Sequence, residues 1–194
     1  MSQNAASGWS VKDVSSLIVA ASSGWDPEYF FFWGHRAKER DTVGKWCLSQ
    51  WWPCEFEVDH VKYPTAEHFM MAEKARLFGD QAVGKQILES SDPAVAKKLG
   101  RRIQGFDERT WSRSRSEIVV QGNLAKFGQN PSLKRFLLST GNAVLVEASP
   151  VDRIWGIGMS EQNEDARNPS RWRGMNLLGF ALMVVRSSLR ESGG

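Results

Sequence analysis

Metal-binding and cross-linking side chains are scarce in this chain. Its 194 residues hold 2 cysteines and 3 histidines. Cys47 and Cys54 do not form a C-x-x-C pair, and His35, His60 and His68 give no H-x-x-x-H spacing. No metal site and no disulfide framework is expected, and two isolated thiols suit a reduced, intracellular setting, cytoplasmic or nuclear. No apolar run approaches the roughly 18 residues of a membrane span. Met1–Gly8 is small and polar, without a basic stretch leading into a hydrophobic one, so a secretory leader is not expected and this end should fray. Alternation of strand and crossover helix is also missing. Gly174-Met175-Asn176-Leu177-Leu178-Gly179 has the outline of a glycine-rich helix start, but it lacks the middle glycine of a dinucleotide fingerprint and follows no clear strand. A Rossmann fold is excluded, and no cofactor is expected.

What is present is ordinary for a globular protein: 41% hydrophobic and 24% charged residues, with a formal net charge of +3 and a sequence pI near 9.0. A mild excess of base permits contact with phosphate without demanding nucleic acid. Tryptophan is abundant at nine. Most should be core, with Trp51, Trp155 and Trp172 set apart by their loop-like surroundings.

The local patterns predict a mainly α, α+β protein: one compact helical domain with a small antiparallel hairpin or sheet. Residues 1–24 read as an extension with a short helix capped near Ser10, and 25–191 as the main domain. Tyr29–Trp33 is a buried strand, and His35–Lys45 an exposed loop. Cys54–Val58 alternates at period two and returns through Val61 and Tyr63 as a hairpin. Caps at Asp80, Asp92 (before Pro93), Asp107 and Asn130 (before Pro131) open successive helices. Val144–Glu147 reads as a strand, residues 149–175 as loops, and Asn176 as the cap of a last amphipathic helix to Leu189 with Leu178, Ala181, Leu182 and Val185 inward.

The segment Tyr63-Pro64-Thr65-Ala66-Glu67-His68-Phe69-Met70-Met71-Ala72-Glu73-Lys74 carries the chemistry. Glu67 and Lys74 lie two helical turns apart and follow the apolar face, while Glu73 and Arg76 follow the outer one. Opposite charges on an apolar stripe are costly unless they have partners or work to do. An acid and an amine over one pocket supply a proton shuttle and a nucleophile. Read singly, Glu67 complements a helix dipole and Lys74 lays its stem along Met71 and Phe78; the pair is the specific signal. Asp152-Arg153-Ile154-Trp155-Gly156-Ile157-Gly158 is a second constellation, with Gly156 and Gly158 allowing close backbone approach to a phosphate or ribose hydroxyl, or making an ordinary turn. Basic clusters sit at Lys97–Arg102, Arg109–Arg115 and Arg167–Arg173, mostly solvated, the last rated highest because it adjoins the glycine loops.

Together with Ala125-Lys126-Phe127, Leu145-Val146-Glu147-Ala148 and Gly174-x-Asn176-x-Leu178-Gly179, these constellations resemble the NADAR family, the NAD- and ADP-ribose-associated domains, from about Tyr29 to Leu189. Two departures stand out. Ser49-Gln50-Trp51 replaces the usual Ser-Asn-Phe, and Asp59-His60 replaces Asp-Gly, which argues against a type I′ turn. The resemblance implies a small, mainly helical hydrolase that breaks a bond between ribose C1 and a heterocycle amine; a monomer without metal is expected. Its substrate would be ADP-ribose on guanine in DNA or a ribose-phosphate intermediate of riboflavin biosynthesis. By similarity Lys74 and Glu67 are catalytic, and the bond type suggests Lys74 as a Schiff-base nucleophile. Asp152 would hold ribose hydroxyls, Trp51 or Trp155 would stack on the base, and Asn176 with Gly156 and Gly158 would hold phosphate. Direct hydrolysis around Glu67, a non-catalytic ADP-ribose-binding module, and an interaction domain with a buried Glu–Lys pair are the competing readings.

Overall fold

The computed structural model describes residues 11–35 and 43–192. The fraying expected of Met1–Gly8, the cap at Ser10 and most of the His35–Lys45 loop fall outside those residues. Among the described residues the order is α1 (Val14–Ser22), β1 (Tyr29–Phe32), a 3-10 turn at Lys45–Leu48, β2 (Phe56–Val58), β3 (Val61–Tyr63), α2 (Ala66–Leu77), α3 (Gln81–Glu89), α4 (Pro93–Gly100), α5 (Glu108–Gln129), α6 (Pro131–Ser139), β4 (Val144–Glu147), two 3-10 turns at Glu164–Arg167 and Pro169–Arg171, and α7 (Leu177–Glu191). The mainly helical, α+β class is the one predicted. Two compact units emerge, one from Met1–Phe32 with Asn142–Phe180, the other from Trp33–Gly141 with Ala181–Gly194.

The larger unit is built on α2, which packs against α3, α4 and α5. Thr65 caps α2 by accepting from the His68 N–H, and Ala66 through Ala72 are all buried. A solvated stripe does not begin until Glu73, which pairs with Arg76 on the outer side as the sequence predicts. The N-terminal half of α2 is thus a core helix, enclosed all round rather than two-sided. Asp80, Asp92 and Asp107 cap their helices as expected, with Asp107 Oδ1 accepting from Thr110 N–H at 2.7 Å. Asn130 does not use its side chain as a cap. Its amide donates to the carbonyls of Lys126 and Glu55, tying the end of α5 to the start of the hairpin.

The hairpin is β2 paired antiparallel with β3, Phe56 opposite Tyr63. Its corner overturns the expectation drawn from His60. Asp59 and His60 stand at φ 51° and 64°, both left-handed, the signature of a type I′ corner. A non-glycine residue at such an angle is held there by the strands on either side. His60→Gly should therefore raise stability by about 0.5–1 kcal/mol, read as a higher midpoint in urea, since glycine adopts this conformation without steric cost.

In the smaller unit β1 pairs with β4 in parallel, Tyr29 opposite Val144 and Phe32 opposite Glu147. No window of sequence predicts that pairing, because partners 115 residues apart in register leave no local signature. α1 begins one turn later than predicted: Asp13 caps it, with Ser16 returning the bond to the Asp13 N–H. Asn176 sits at φ 52° just before α7, a left-handed angle that asparagine tolerates. Leu178, Ala181, Leu182 and Val185 are buried as expected. Among the described residues, no helix is long and apolar enough to cross a membrane.

Candidate active site

α2 fixes where Glu67 and Lys74 emerge. Seven residues at 1.5 Å each separate their backbone positions by about 10 Å along the axis. Glu67 is 3% exposed, and its backbone N–H donates to the carbonyl of Gln50 at 2.9 Å. Lys74 is half-buried. Its Nζ donates to the carbonyl of Gly100 at 2.9 Å and lies 4.2 Å from the Phe106 ring centroid and 5.5 Å from that of Trp111. Burial holds its pKa below the usual lysine value; Glu108 opposes that shift and Arg101 adds to it. The amine is thus drawn out of bulk water towards its neutral, nucleophilic form. Gly100 packs under Met71, whose thioether occupies the space a Cβ there would take.

The turn that precedes α2 is locked by a polar chain. Thr65 Oγ1 lies 2.8 Å from His68 Nδ1, His68 Nε2 lies 3.1 Å from Ser90 Oγ, and Ser90 Oγ donates to the Asp92 carbonyl at 3.3 Å. The Thr65 hydroxyl already accepts from the His68 N–H, so its proton points to Nδ1 and Nε2 carries the ring proton. Burial lowers the His68 pKa, consistent with a neutral ring; the Ser90 hydrogen bond and Asp92 pull the other way.

Trp51 lines a cleft of about 420 Å³ with His35, Pro53, Pro64, Thr65 and Asp92 among its walls. Its ring is half-buried, 5.4 Å from that of His35, with Lys97 Nζ 5.7 Å above it. The segment that carries Trp51 is anchored from α5 by two residues to which the sequence alone assigns no role. Lys126 is completely buried, and its Nζ donates to the carbonyls of Cys47 at 2.7 Å and Ser49 at 2.8 Å. Burial brings its pKa down to about 8, and the buried Cys47 thiol is pushed up to about 12. Asn123 donates through Nδ2 to Gln50 Oε1 and to the Val119 carbonyl, both at 2.8 Å. A signal for both existed: Trp111, Arg115, Val119, Asn123 and Lys126 recur at helical spacing, and all five are buried.

In the smaller unit, Asp152 Oδ1 accepts from the N–H groups of Ile154 and Trp155, both at 2.8 Å, which shapes the loop. Trp155 is half-buried. The Gly158 N–H goes to the Asp152 carbonyl at 3.0 Å. Gly156 and Gly174 serve packing: a Cβ on Gly156 would meet the Glu147 carbonyl oxygen at 2.7 Å, and one on Gly174 would meet the Gly156 oxygen at 2.3 Å. Trp172 donates through Nε1 to the Ala166 carbonyl at 2.8 Å and meets Tyr29 edge-on, a structural duty. Asn176 is fully buried. Its Oδ1 accepts from the Glu147 N–H at 2.9 Å and its Nδ2 donates to the Leu145 carbonyl at 2.9 Å. It caps α7 only through its backbone carbonyl, which takes the Phe180 N–H, and its amide is engaged with β4 rather than with the helix. Asn176→Ala should cost about 2–5 kcal/mol, because two buried backbone groups lose their partners; thermal or urea unfolding measures it. Among the described residues, no cluster of His, Cys, Asp or Glu is arranged to hold a metal ion.

A family model described as the NADAR domain matches residues 31–190. The N-glycosidase R617 of Acanthamoeba polyphaga mimivirus is 42% identical over 169 residues, which is 84% of this chain and 98% of that one. The N-glycosidase YbiA of Escherichia coli is 32% identical over 149 residues, 77% of this chain and 83% of its own. The riboflavin biosynthesis protein VVA0006 of Vibrio vulnificus is 33% identical over 144 residues, 74% of this chain but only 35% of that protein. The NMR structure of Escherichia coli YbiA superposes with a TM-score of 0.65 at 25% identity, covering 86% of this chain and 88% of its own.

Proposed function

The chain belongs to the NADAR domain family, and from that premise we propose that it is an N-glycosidase that removes ADP-ribose from guanine bases in DNA, with residues 25–191 as its catalytic stretch. The observation that carries the reading is the state of Lys74: an amine withdrawn from water beside Phe106 and Trp111, on the same helix as a buried glutamate.

The chemistry follows from the bond. In an N-linked ribose, the exocyclic nitrogen can push out the ring oxygen, which takes a proton and leaves an iminium at C1. The neutral Nζ of Lys74 adds to that carbon. A proton then moves to the heterocycle amine, which departs as the free base, leaving C1 joined to Lys74 as a Schiff base. Water adds, the lysine is released, and the sugar leaves with its C1 aldehyde, which recloses. Glu67 moves the protons, first towards the departing amine and later from the attacking water. Trp51 offers a ring face for the heterocycle in its cleft. Within the smaller unit, Asp152, with Oδ1 held by the loop and, among the described residues, its second carboxylate oxygen in no hydrogen bond, is suited to accept from sugar hydroxyls. Phosphate would fall to the exposed arginines nearby, since the Gly158 N–H is spent on the Asp152 carbonyl and the Asn176 amide on β4.

A second substrate has its own support. The Vibrio relative named for riboflavin biosynthesis favours a phosphoribosyl-aminopyrimidine, whose bond to ribose C1 is of the same type. Incubation with guanine-ADP-ribosylated DNA and, separately, with the aminopyrimidine, followed by mass spectrometry of released sugar, decides between them. Release from DNA alone supports the first reading. Release from the pyrimidine alone moves the assignment to the second. Release from neither leaves a binding module and refutes both.

A further inference from the structure

The geometry points to a strand-binding surface in the smaller unit, where Arg153 and Arg173 grip the phosphodiester backbone of a single nucleic-acid strand. Residues 153–158 and 173–178 run side by side, joined from Arg173 N–H to the Ile157 carbonyl at 2.9 Å, from Met175 N–H to that of Arg153 at 3.0 Å, and from Leu177 N–H to that of Ile154 at 3.2 Å. Gly158 lies between the two arginines at φ +69°. A Cβ placed on it would sit 3.0 Å from Arg173 Cβ and 3.1 Å from Arg153 Cγ. The two stems therefore rise together from a spot kept clear by a residue without a side chain.

Both arginines are exposed, and among the described residues neither guanidinium has a hydrogen-bond or ion-pair partner. Their neighbours differ: Arg171 leans on Asp165 at 3.8 Å and Arg167 covers the Phe31 ring at 5.6 Å. Asp152, the carboxylate nearest in sequence, has Oδ1 engaged by the loop N–H groups. Around the pair stand apolar side chains left in water, Val151 at 85%, Ile154 at 41% and Met175 at 40% exposure. Two unneutralised guanidinium groups match phosphate geometry, and the apolar rim suits sugar and base faces. A free pyrophosphate shares the first contact but would leave that rim wet, so a strand is the better occupant. This surface rests on the reading above in that the strand would carry the modified base.

The test measures anisotropy of a labelled, unmodified single-stranded DNA against salt, for wild type and for the double variant Arg153→Gln/Arg173→Gln. Both side chains are exposed, and circular dichroism verifies the fold. The expected result is a loss of at least about tenfold in affinity and a slope of log K against log salt shallower by about 1.4, two phosphates at ~0.7 each. Arg153→Lys/Arg173→Lys should restore the slope. Wild-type protein that ignores the strand, or a double variant that binds it equally well, overturns the proposal. A variant weakened only towards free ADP-ribose or inorganic pyrophosphate also overturns it, in favour of a small-phosphate subsite. Cleavage is assayed separately on the same proteins, so a protein that binds the strand yet releases no sugar refutes the glycosidase reading and leaves this surface standing.

Discussion

Lys74→Ala should lower turnover by roughly 10²–10⁴-fold, the range typical of losing a group that exchanges protons or electron pairs with the substrate. Lys74→Arg should do the same, because a guanidinium keeps the positive charge but has no free lone pair at neutral pH. If Lys74 were a spectator cation that steadies an oxocarbenium-like state, arginine would restore much of the rate. The difference between these variants is thus more telling than either alone. Borohydride added during turnover should trap a reduced ribose–lysine adduct, located by peptide mass spectrometry at Lys74 and missing in both variants. Turnover with no adduct would reject the covalent route. The pH profile adds a check of sign. Only the neutral amine attacks, and burial holds the Lys74 pKa below its usual value, so the rate should climb with pH and level off below the ordinary lysine range. In a variant that exposes the amine, such as Phe106→Ala, that rise should move to higher pH.

Lys126→Met is expected to have a large effect of a different kind. The ammonium is wholly enclosed and is held by the Cys47 and Ser49 carbonyls. Methionine fills the space but leaves both carbonyls without a donor, and a small displacement of the loop that carries Trp51 can cost about 10²-fold in rate. At neutral pH the stability change should be modest. Losing two hydrogen bonds costs a few kcal/mol, and removing a buried charge offsets part of that. The pH dependence is the clearer readout. Burial sets the folded-state pKa at about 8, against the usual 10.5. Between those values the unfolded lysine holds a proton that the folded one has lost, so unfolding takes up a proton and becomes harder as pH rises. The wild type should gain on Lys126→Met by roughly 3 kcal/mol across that window. Cys47 acts in the opposite direction: burial raises its pKa from 9.0 to about 12, so stability falls as pH rises above 9. That term is present in both proteins and largely cancels in the difference. Urea midpoints that stay equally spaced from pH 7.5 to 10 would contradict the account.

Caps, periodicity and turn residues made much of the helical framework legible in advance. Asp80, Asp92 and Asp107 announce their helices because a carboxylate satisfying free N–H groups is a local event. The features that escaped notice depend on distant partners. The parallel match of β1 with β4 lies in no window of sequence. Asn130 and Asn176 look like helix caps, yet tertiary neighbours claimed their amides: the Glu55 carbonyl for the first, β4 for the second. His60 departs from expectation for a related reason, since the strands that hold it at positive φ outweigh its own preference. At the candidate site, Glu67 and Lys74 could be picked out because charge on an apolar pattern is costly and therefore informative. Lys126 carried the same signal more strongly, set on the buried face of α5, and only the carbonyls it meets, from a loop 77 residues away at Ser49, reveal its role.

The amide of Asn176 has a consequence for how this protein meets others. Leu145 turns its C=O and Glu147 its N–H away from β1, and one side chain answers both, as a residue of a neighbouring parallel strand would. Asn176 is in effect a sheet strand one residue long. It closes a border at which an extended peptide or a second copy of the chain could otherwise lengthen the ladder, so a two-stranded sheet remains two-stranded.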